Sequence, residues 1–272
     1  MKTVAHLSDL HFGTEIPTVV SALVAELHER APSLVIVSGD LTQRARRSQF
    51  SAASAFLKRI PRPQLVVPGN HDVPLYDVAR RFLAPLTRYR AWIADELDPV
   101  YVDDEIFVLG LNTARSFTWK SGRISEEQLA FMEERLAAAG DRFKIVVTHH
   151  PFIPPPNDAG IELVGRAAIA IPLLDASGVD LLLAGHLHRG YAGDIRPHYP
   201  SARRSMIAAQ AGTATSGRTR DEPNAYNWIT VEPQKITIAV RAWSGTGFEP
   251  IRESIYHKAP GGWTPIADGA PV

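Results

Sequence analysis

Cysteine is absent from the 272 residues. Disulfides and thiolate-held metals are therefore excluded, and any bound cation must rest on nitrogen and oxygen donors. Net charge is absent too, since 29 basic residues balance 29 acidic ones with histidine neutral. A neutral chain lacks the electrostatic footprint of a protein that coats nucleic acid or an anionic membrane. That balance still permits a local positive field facing one small anion. Long hydrophobic runs are missing as well. No stretch approaches the roughly 18 apolar residues of a membrane span, and Met1-Lys2-Thr3-Val4-Ala5-His6 reaches Asp9 without a signal-peptide core. The expectation is a cytoplasmic protein with no membrane span. Internal repeats and low-complexity tracts are not found.

What the sequence does contain is a series of short apolar runs, each ending abruptly in polar residues. Val4-Ala5 leads to Asp9 and His11, and Leu34-Val35-Ile36-Val37 leads to Gly39-Asp40. Leu65-Val66-Val67 leads to Gly69-Asn70-His71-Asp72, Ile145-Val146-Val147 to His149-His150, and Leu181-Leu182-Leu183 to Gly185-His186-Leu187-His188. Runs of this length, rich in β-branched residues, suit strands buried on both faces. Helices are expected between them, at roughly 17–30, 46–60, 76–96, 125–139 and 165–177, with Ser125 as an N-cap before Glu126-Glu127-Gln128. This alternation predicts an α/β fold of two stacked mixed sheets flanked by helices. Segments near 205–211, 226–231 and 236–243 read as strands of a second sheet packed on the first, with a hairpin turn at Glu232-Pro233-Gln234-Lys235. One domain is expected over residues 1–258, with an irregular Pro- and Gly-rich tail over 259–272.

Ligands of open α/β sheets collect beyond the carboxyl ends of the strands, and all five runs deliver Asp, Asn or His there. The set Asp9, His11, Asp40, Asn70, His149, His186 and His188 exceeds the needs of one tetrahedral ion. It suits two divalent cations, manganese, iron, zinc or cobalt, sharing a bridging carboxylate. Asp40 is the expected bridge, because Gly39 lets the backbone turn sharply.

Ser8-Asp9-Leu10-His11, Gly39-Asp40, Pro68-Gly69-Asn70-His71-Asp72, His149-His150-Pro151 and Gly185-His186-Leu187-His188 resemble, in order, the blocks of the calcineurin-like metallophosphoesterases. The similarity extends over about residues 3–190 and leans toward bacterial cyclic-nucleotide and glycerophosphodiester phosphodiesterases. It implies one cation on Asp9, His11, Asp40 and His188, and the other on Asp40, Asn70, His149 and His186. It also implies that His71 is the catalytic histidine beside the leaving group, oriented by Asp72. The reaction implied is hydroxide attack on phosphorus, with no covalent enzyme intermediate. The chain departs from the family after Asp40, where Leu41-Thr42-Gln43-Arg44-Ala45-Arg46-Arg47 replaces the usual small residue and acid.

The expected partner is a small-molecule phosphoester, a phosphodiester before a monoester, without extended nucleic-acid binding; a homo-oligomer is left open. A nuclease or lipid-linked pyrophosphate hydrolase of the same fold is disfavoured by zero net charge and by the lack of a basic amphipathic face. A non-catalytic scaffold would show broken ligands, and none is broken here. His6 reads as a hydrogen-bonded core histidine, and His149 is preferred over His150 as a ligand. Arg44, Arg46 and Arg47 read as a solvated helix start before a contact to a substrate phosphate or base, and a place on the rim is the lesser reading for Arg218 and Arg220, whose role is unassigned.

Overall fold

The computed structural model describes residues 1–266 except Asn157, Ala159 and Asp221. In chain order the elements are β1 (Lys2–Leu7), α1 (Pro17–Arg30), β2 (Leu34–Ser38), α2 (Arg47–Arg59), β3 (Gln64–Val67), α3 (Val78–Leu83), α4 (Thr87–Trp92) and β4 (Val100–Val102). They continue with β5 (Ile106–Gly110), α5 (Glu126–Ala137), β6 (Phe143–Val147), α6 (Ala167–Ala176), β7 (Leu181–Ala184), β8 (Tyr191–Asp194) and β9 (Ile207–Gln210). The chain then forms β10 (Ala225–Glu232), β11 (Lys235–Trp243), β12 (Phe248–Ala259) and β13 (Gly262–Pro265). No helix among the described residues is long and apolar enough to cross a membrane.

Two mixed sheets result, one ordered β13-β12-β11-β10-β1-β2-β3 and the other β4-β5-β6-β7-β9-β8. Successive strand side chains point to opposite faces, and the buried residues sort accordingly. Val4, Leu34 and Ile36 of the first sheet meet Ile145, Val147, Leu181 and Leu183 of the second in a core between the sheets. The alternate residues Ala5, Leu7, Val35 and Val37 face α1 and α2, through Val19, Leu23, Phe50 and Ala53. Val146 and Leu182 face α5 and α6, through Met132, Leu136, Ala170 and Leu174. Because both faces of these strands are covered, continuous apolar runs are what the fold requires. At the start of α5, Ser125 is the expected N-cap, and Gln128 returns a bond to the Ser125 backbone.

Three expectations need correction. The helix expected over 76–96 is two short helices, because Pro85 lacks the N–H a continuous helix would use and restricts Ala84 before it. The C-terminal strands do not form a second sheet of their own. β10 pairs antiparallel with β1, so β10–β13 extend the first sheet, while β9 pairs parallel with β7 in the other. The tail is regular as far as Pro265, where Pro260-Gly261 makes the turn between β12 and β13. Gly262 has a left-handed φ of 102°, and any Cβ there would collide with the Ser205 backbone. The following Trp263 is fully buried, donates to Asp180 at 3.0 Å and packs edge-on to Phe143. Residues 267–272 of the expected tail lie outside the described residues.

Candidate metal centre

The strands β1, β2 and β3 of one sheet and β6 and β7 of the other all run out at a common edge, and the loops beyond them converge. Asp9 and Asp40 leave adjacent parallel strands, and backbone bonds from Asp9 N to Gly39 O and from His11 N to Asp40 O lock the two loops together. Asp9, His11, Asp40, His186 and His188 all adopt left-handed backbone, with φ between 46° and 75°. That conformation costs an L-residue about 1–2 kcal/mol, and here it turns each side chain back over the sheet edge. Gly39 (φ 94°) is glycine for a further reason: a Cβ would stand 2.6 Å from His149 Nδ1.

The geometry brings all seven expected ligands together. Asp9 Oδ1 lies 3.5 Å from His11 Nε2 and 3.6 Å from His188 Nε2. Asp40 Oδ2 lies 3.6 Å from His11 Nε2, while its Oδ1 lies 3.4 Å from His149 Nε2. Asn70 Oδ1 is 3.0 Å from His149 Nε2 and 3.1 Å from His186 Nδ1. Asp40 thus stands between two groups of donor atoms, as a bridging ligand would.

Hydrogen bonds on the outer side fix how the rings face inward. His149 Nδ1–H donates to the Ser38 carbonyl at 2.8 Å, which turns Nε2 toward the oxygens of Asp40 and Asn70. Thr213 Oγ1 donates to the Arg218 carbonyl and so accepts from His188 Nδ1–H at 2.6 Å, turning its Nε2 toward Asp9. Asp9 Oδ2 accepts from Ser8 Oγ and His186 N, yet Oδ1 has no partner, nor has either nitrogen of the buried His11. Each buried polar group without a partner costs about 1–3 kcal/mol. The unpartnered Asp9 oxygen and His11 ring, within a cluster of carboxylate, amide and imidazole groups, fit divalent cations bound without thiolates.

The electrostatics agree. Burial opposes ionisation of Asp9 and Asp40, but His188 beside Asp9 and His149 beside Asp40 hold both carboxyls well below the usual range. Burial opposes a charged His149, yet the Asp40 and Asp9 carboxylates lift it to about 9, so a proton stands in for cationic charge. His186, pushed down to about 3 by burial and by His149, stays neutral with its lone pair available.

The expected partnership of His71 and Asp72 needs correction. Asp72 accepts from the backbone N–H groups of Leu41, Thr42 and Gly69 and from Thr42 Oγ1. It fastens the loop after β2 to the loop after β3, and burial together with Asp40 raises its carboxyl to about 6. The group that orients His71 is the Gln43 carbonyl, 2.8 Å from Nδ1. His71 packs edge-on to His11, with ring centroids 4.8 Å apart. His150 lies against His186, but both its nitrogens are occupied, by Thr113 Oγ1 at 2.7 Å and the Lys120 carbonyl at 2.9 Å. It is a wall of the site. His6 is buried on Ser38 Oγ and Asn227. Arg46 and Arg47 are exposed, whereas Arg44 turns inward to His71 and is not part of a solvated helix start. Thr213, the Ser38 carbonyl and the Gln43 carbonyl carried no sequence signal, since each acts through a single hydrogen bond to a residue distant in the chain.

A model of the calcineurin-like phosphoesterase family matches residues 2–190. The chain is similar to a probable glycerophosphodiester phosphodiesterase, GpdQ, of Arcobacter nitrofigilis, with 31% identity over 168 residues covering 58% of this chain and 57% of that protein. It is 30% identical over 164 residues to the glycerophosphodiester phosphodiesterase GpdQ of Enterobacter lignolyticus, again covering 57% of that protein. The chain thus spans little more than half the length of these two relatives. A cAMP/cGMP dual specificity phosphodiesterase of Mycobacterium tuberculosis is 26% identical over 256 residues, covering 86% of this chain and 77% of that protein. Among solved structures, a dimetal phosphatase from Danio rerio superimposes with a TM-score of 0.66 at 14% identity, covering 92% of this chain and 98% of that one. At such identity the likeness is one of fold.

Proposed function

This chain belongs to the calcineurin-like phosphoesterase family, and from that premise we propose that it hydrolyses small phosphodiesters at a centre holding two divalent cations. The observation that carries this reading is the ring of buried acceptors around Asp40, two of whose members, Asp9 and His11, have polar atoms without a partner. Asp9, His11, Asp40 and His188 would hold one cation, and Asp40, Asn70, His149 and His186 the other. Manganese, iron, zinc and cobalt all suit such nitrogen and oxygen donors. When bound, the cations supply Lewis-acid polarisation of the phosphoryl group and a nucleophilic water near neutral pH.

The remaining work falls to the chain itself. The Ser38 carbonyl and Thr213 hold His149 and His188 with Nε2 inward. Asp72 keeps the two loops that carry Asp40 and Asn70 in register. His71, steered by Gln43, stands beside the leaving group and serves its departing oxygen. His150 closes the wall and excludes water there. A phosphodiester is favoured because the relatives similar to this chain are named as phosphodiesterases. A monoester is the second reading, favoured by the cationic side chains near His71. A cytoplasmic place of action belongs to the same proposal.

Protein reconstituted with manganese should cleave bis-aryl or alkyl-aryl phosphodiesters with a higher kcat/KM than the matching monoester. A monoester preference of roughly tenfold, about 1.4 kcal/mol at the transition state, would reverse the choice. No turnover of any phosphoester with two cations bound would remove the proposal.

A further inference from the structure

Two guanidinium groups converge on His71 from different parts of the chain. Arg218 Nη1 stands 3.1 Å from His71 Nε2, and Arg44 Nη1 stands 3.1 Å from His71 Nδ1. The Gln43 carbonyl collects both Arg44 Nη1–H, at 2.9 Å, and His71 Nδ1–H, at 2.8 Å. Nδ1 therefore carries the hydrogen. Arg218 Nη1 also stands 3.5 Å from Nδ1, so it lies over the face of the imidazole and not on the in-plane lone pair of Nε2. In this arrangement the guanidinium of Arg218 covers one face of the His71 ring.

The rest of the surroundings give neither guanidinium a direct counter-ion, since Asp40 and Asp9 act on Arg218 only from farther off. Arg218 is half-buried, and its other side-chain partner is the neutral Gln43 Oε1 at 3.3 Å. Arg44 lies over the Tyr76 ring, 5.9 Å from its centroid. Among the described residues, neither arginine has a carboxylate within ion-pair distance, and the two repel one another across the imidazole. Like charges are brought together at a half-buried site at a cost, which an anion placed between them removes. The Arg218 backbone is also tied to the centre: its carbonyl accepts from Thr213, the residue that holds His188. Its N–H donates to Ser216 Oγ, and Asn224 Nδ2 braces the same loop through Ser216 O.

We propose that Arg218, assisted by Arg44, is a substrate-contacting residue whose guanidinium takes the non-bridging oxygens of the phosphate undergoing cleavage. Binding draws Arg218 off the His71 ring and uncovers that face of the imidazole. The planar fork of an arginine meets two phosphate oxygens at once, which a lysine ammonium cannot do. The choice of anion rests on the phosphoester reading above.

The test uses metal-loaded protein and inorganic phosphate as probe, read by calorimetry, with diester kinetics and metal content alongside. Arg218→Ala should weaken phosphate binding roughly tenfold or more and raise KM in parallel, with both cations retained. Arg44→Ala should act in the same direction and less strongly, and Arg218→Lys should recover part of the loss. Phosphate affinity within about twofold of the parent in Arg218→Ala overturns the proposal. So does loss of cations in both Arg218→Ala and Arg218→Lys, which would make the residue structural. Parent protein that binds phosphate through these arginines but cleaves no phosphoester would remove the proposed function and with it the substrate role, leaving the arginine pair as a phosphate site.

Discussion

Strand β1 has β2 on one side and β10 on the other, and the two neighbours serve the site differently. β2 runs parallel to β1, so both end at the same edge and set Asp9 beside Asp40. β10 runs antiparallel and begins at that edge, so what it brings there is support. Asn227 donates to the Gln210 carbonyl, and Asn224, just before the strand, braces the loop that carries Thr213 and Arg218. Parallel crossovers therefore supply the proposed ligands, and the antiparallel meander supplies the frame that aims them. The match to the family model stops at residue 190, close to where the first role gives way to the second.

If this division is sound, changes in the parallel half should abolish chemistry and spare the fold, whereas changes in the meander should do the reverse. Asp40→Ala should have the largest effect: loss of both cations and a fall in turnover of at least about 10³-fold, with a folded circular dichroism spectrum. Full activity in that variant would end the dinuclear reading. Trp263→Ala, at the far edge of the meander, should lower unfolding stability by about 3–5 kcal/mol. Its folded fraction should still bind two cations, and metal loss without destabilisation in denaturant titrations would break the comparison.

Thr213→Val crosses the divide, because it removes only the hydroxyl that orients His188. Metal affinity should drop roughly 10–100-fold with stability little changed, as measured by competition with a chelator. Unchanged affinity would mean that His188 needs no guidance from the meander. The smallest effect, per pH unit, concerns pH. With His149 lifted to about 9 by Asp40 and Asp9, a cation must displace one proton below that value. Apparent metal affinity should therefore rise about tenfold per pH unit up to about pH 9 and then level. In the metal-free protein the sign is opposite. The protonated ring stabilises the fold below its unfolded value of about 6.5, and that contribution is lost as pH rises through about 9. Thermal unfolding of metal-free protein at pH 6 and pH 9 checks this.

The cluster of proposed ligands was legible because each sits at the end of an apolar run, where a local pattern marks both the strand and its stop. The partner of Asp72 was not, since its carboxylate reaches Leu41 and Thr42 across 30 residues of sequence, while the adjacent His71 offers a false neighbour. The turn at Pro260-Gly261 read as irregular because strand β12, with Glu249, Arg252, Glu253 and Lys258 along it, shows little apolar alternation. Burial of Trp263 against Asp180 and Phe143 comes from the opposite sheet and leaves no trace in the local pattern. Arg218 could be read from the sequence only as a rim candidate, because its approach to His71 joins residues 147 positions apart.

The bond from His149 to the Ser38 carbonyl joins the two sheets at their shared edge. Asp9 and Asp40 ride on one sheet, His149 and His186 on the other, so a cation bound between them would act as a rivet through a laminate. A slip of one sheet over the other by an ångström would shear several ligands together, leaving no single loop free to yield. The apolar layer of Ile36, Val67, Ile145 and Leu183, remote from any substrate, thereby becomes the gauge block that sets the spacing of the reactive centre.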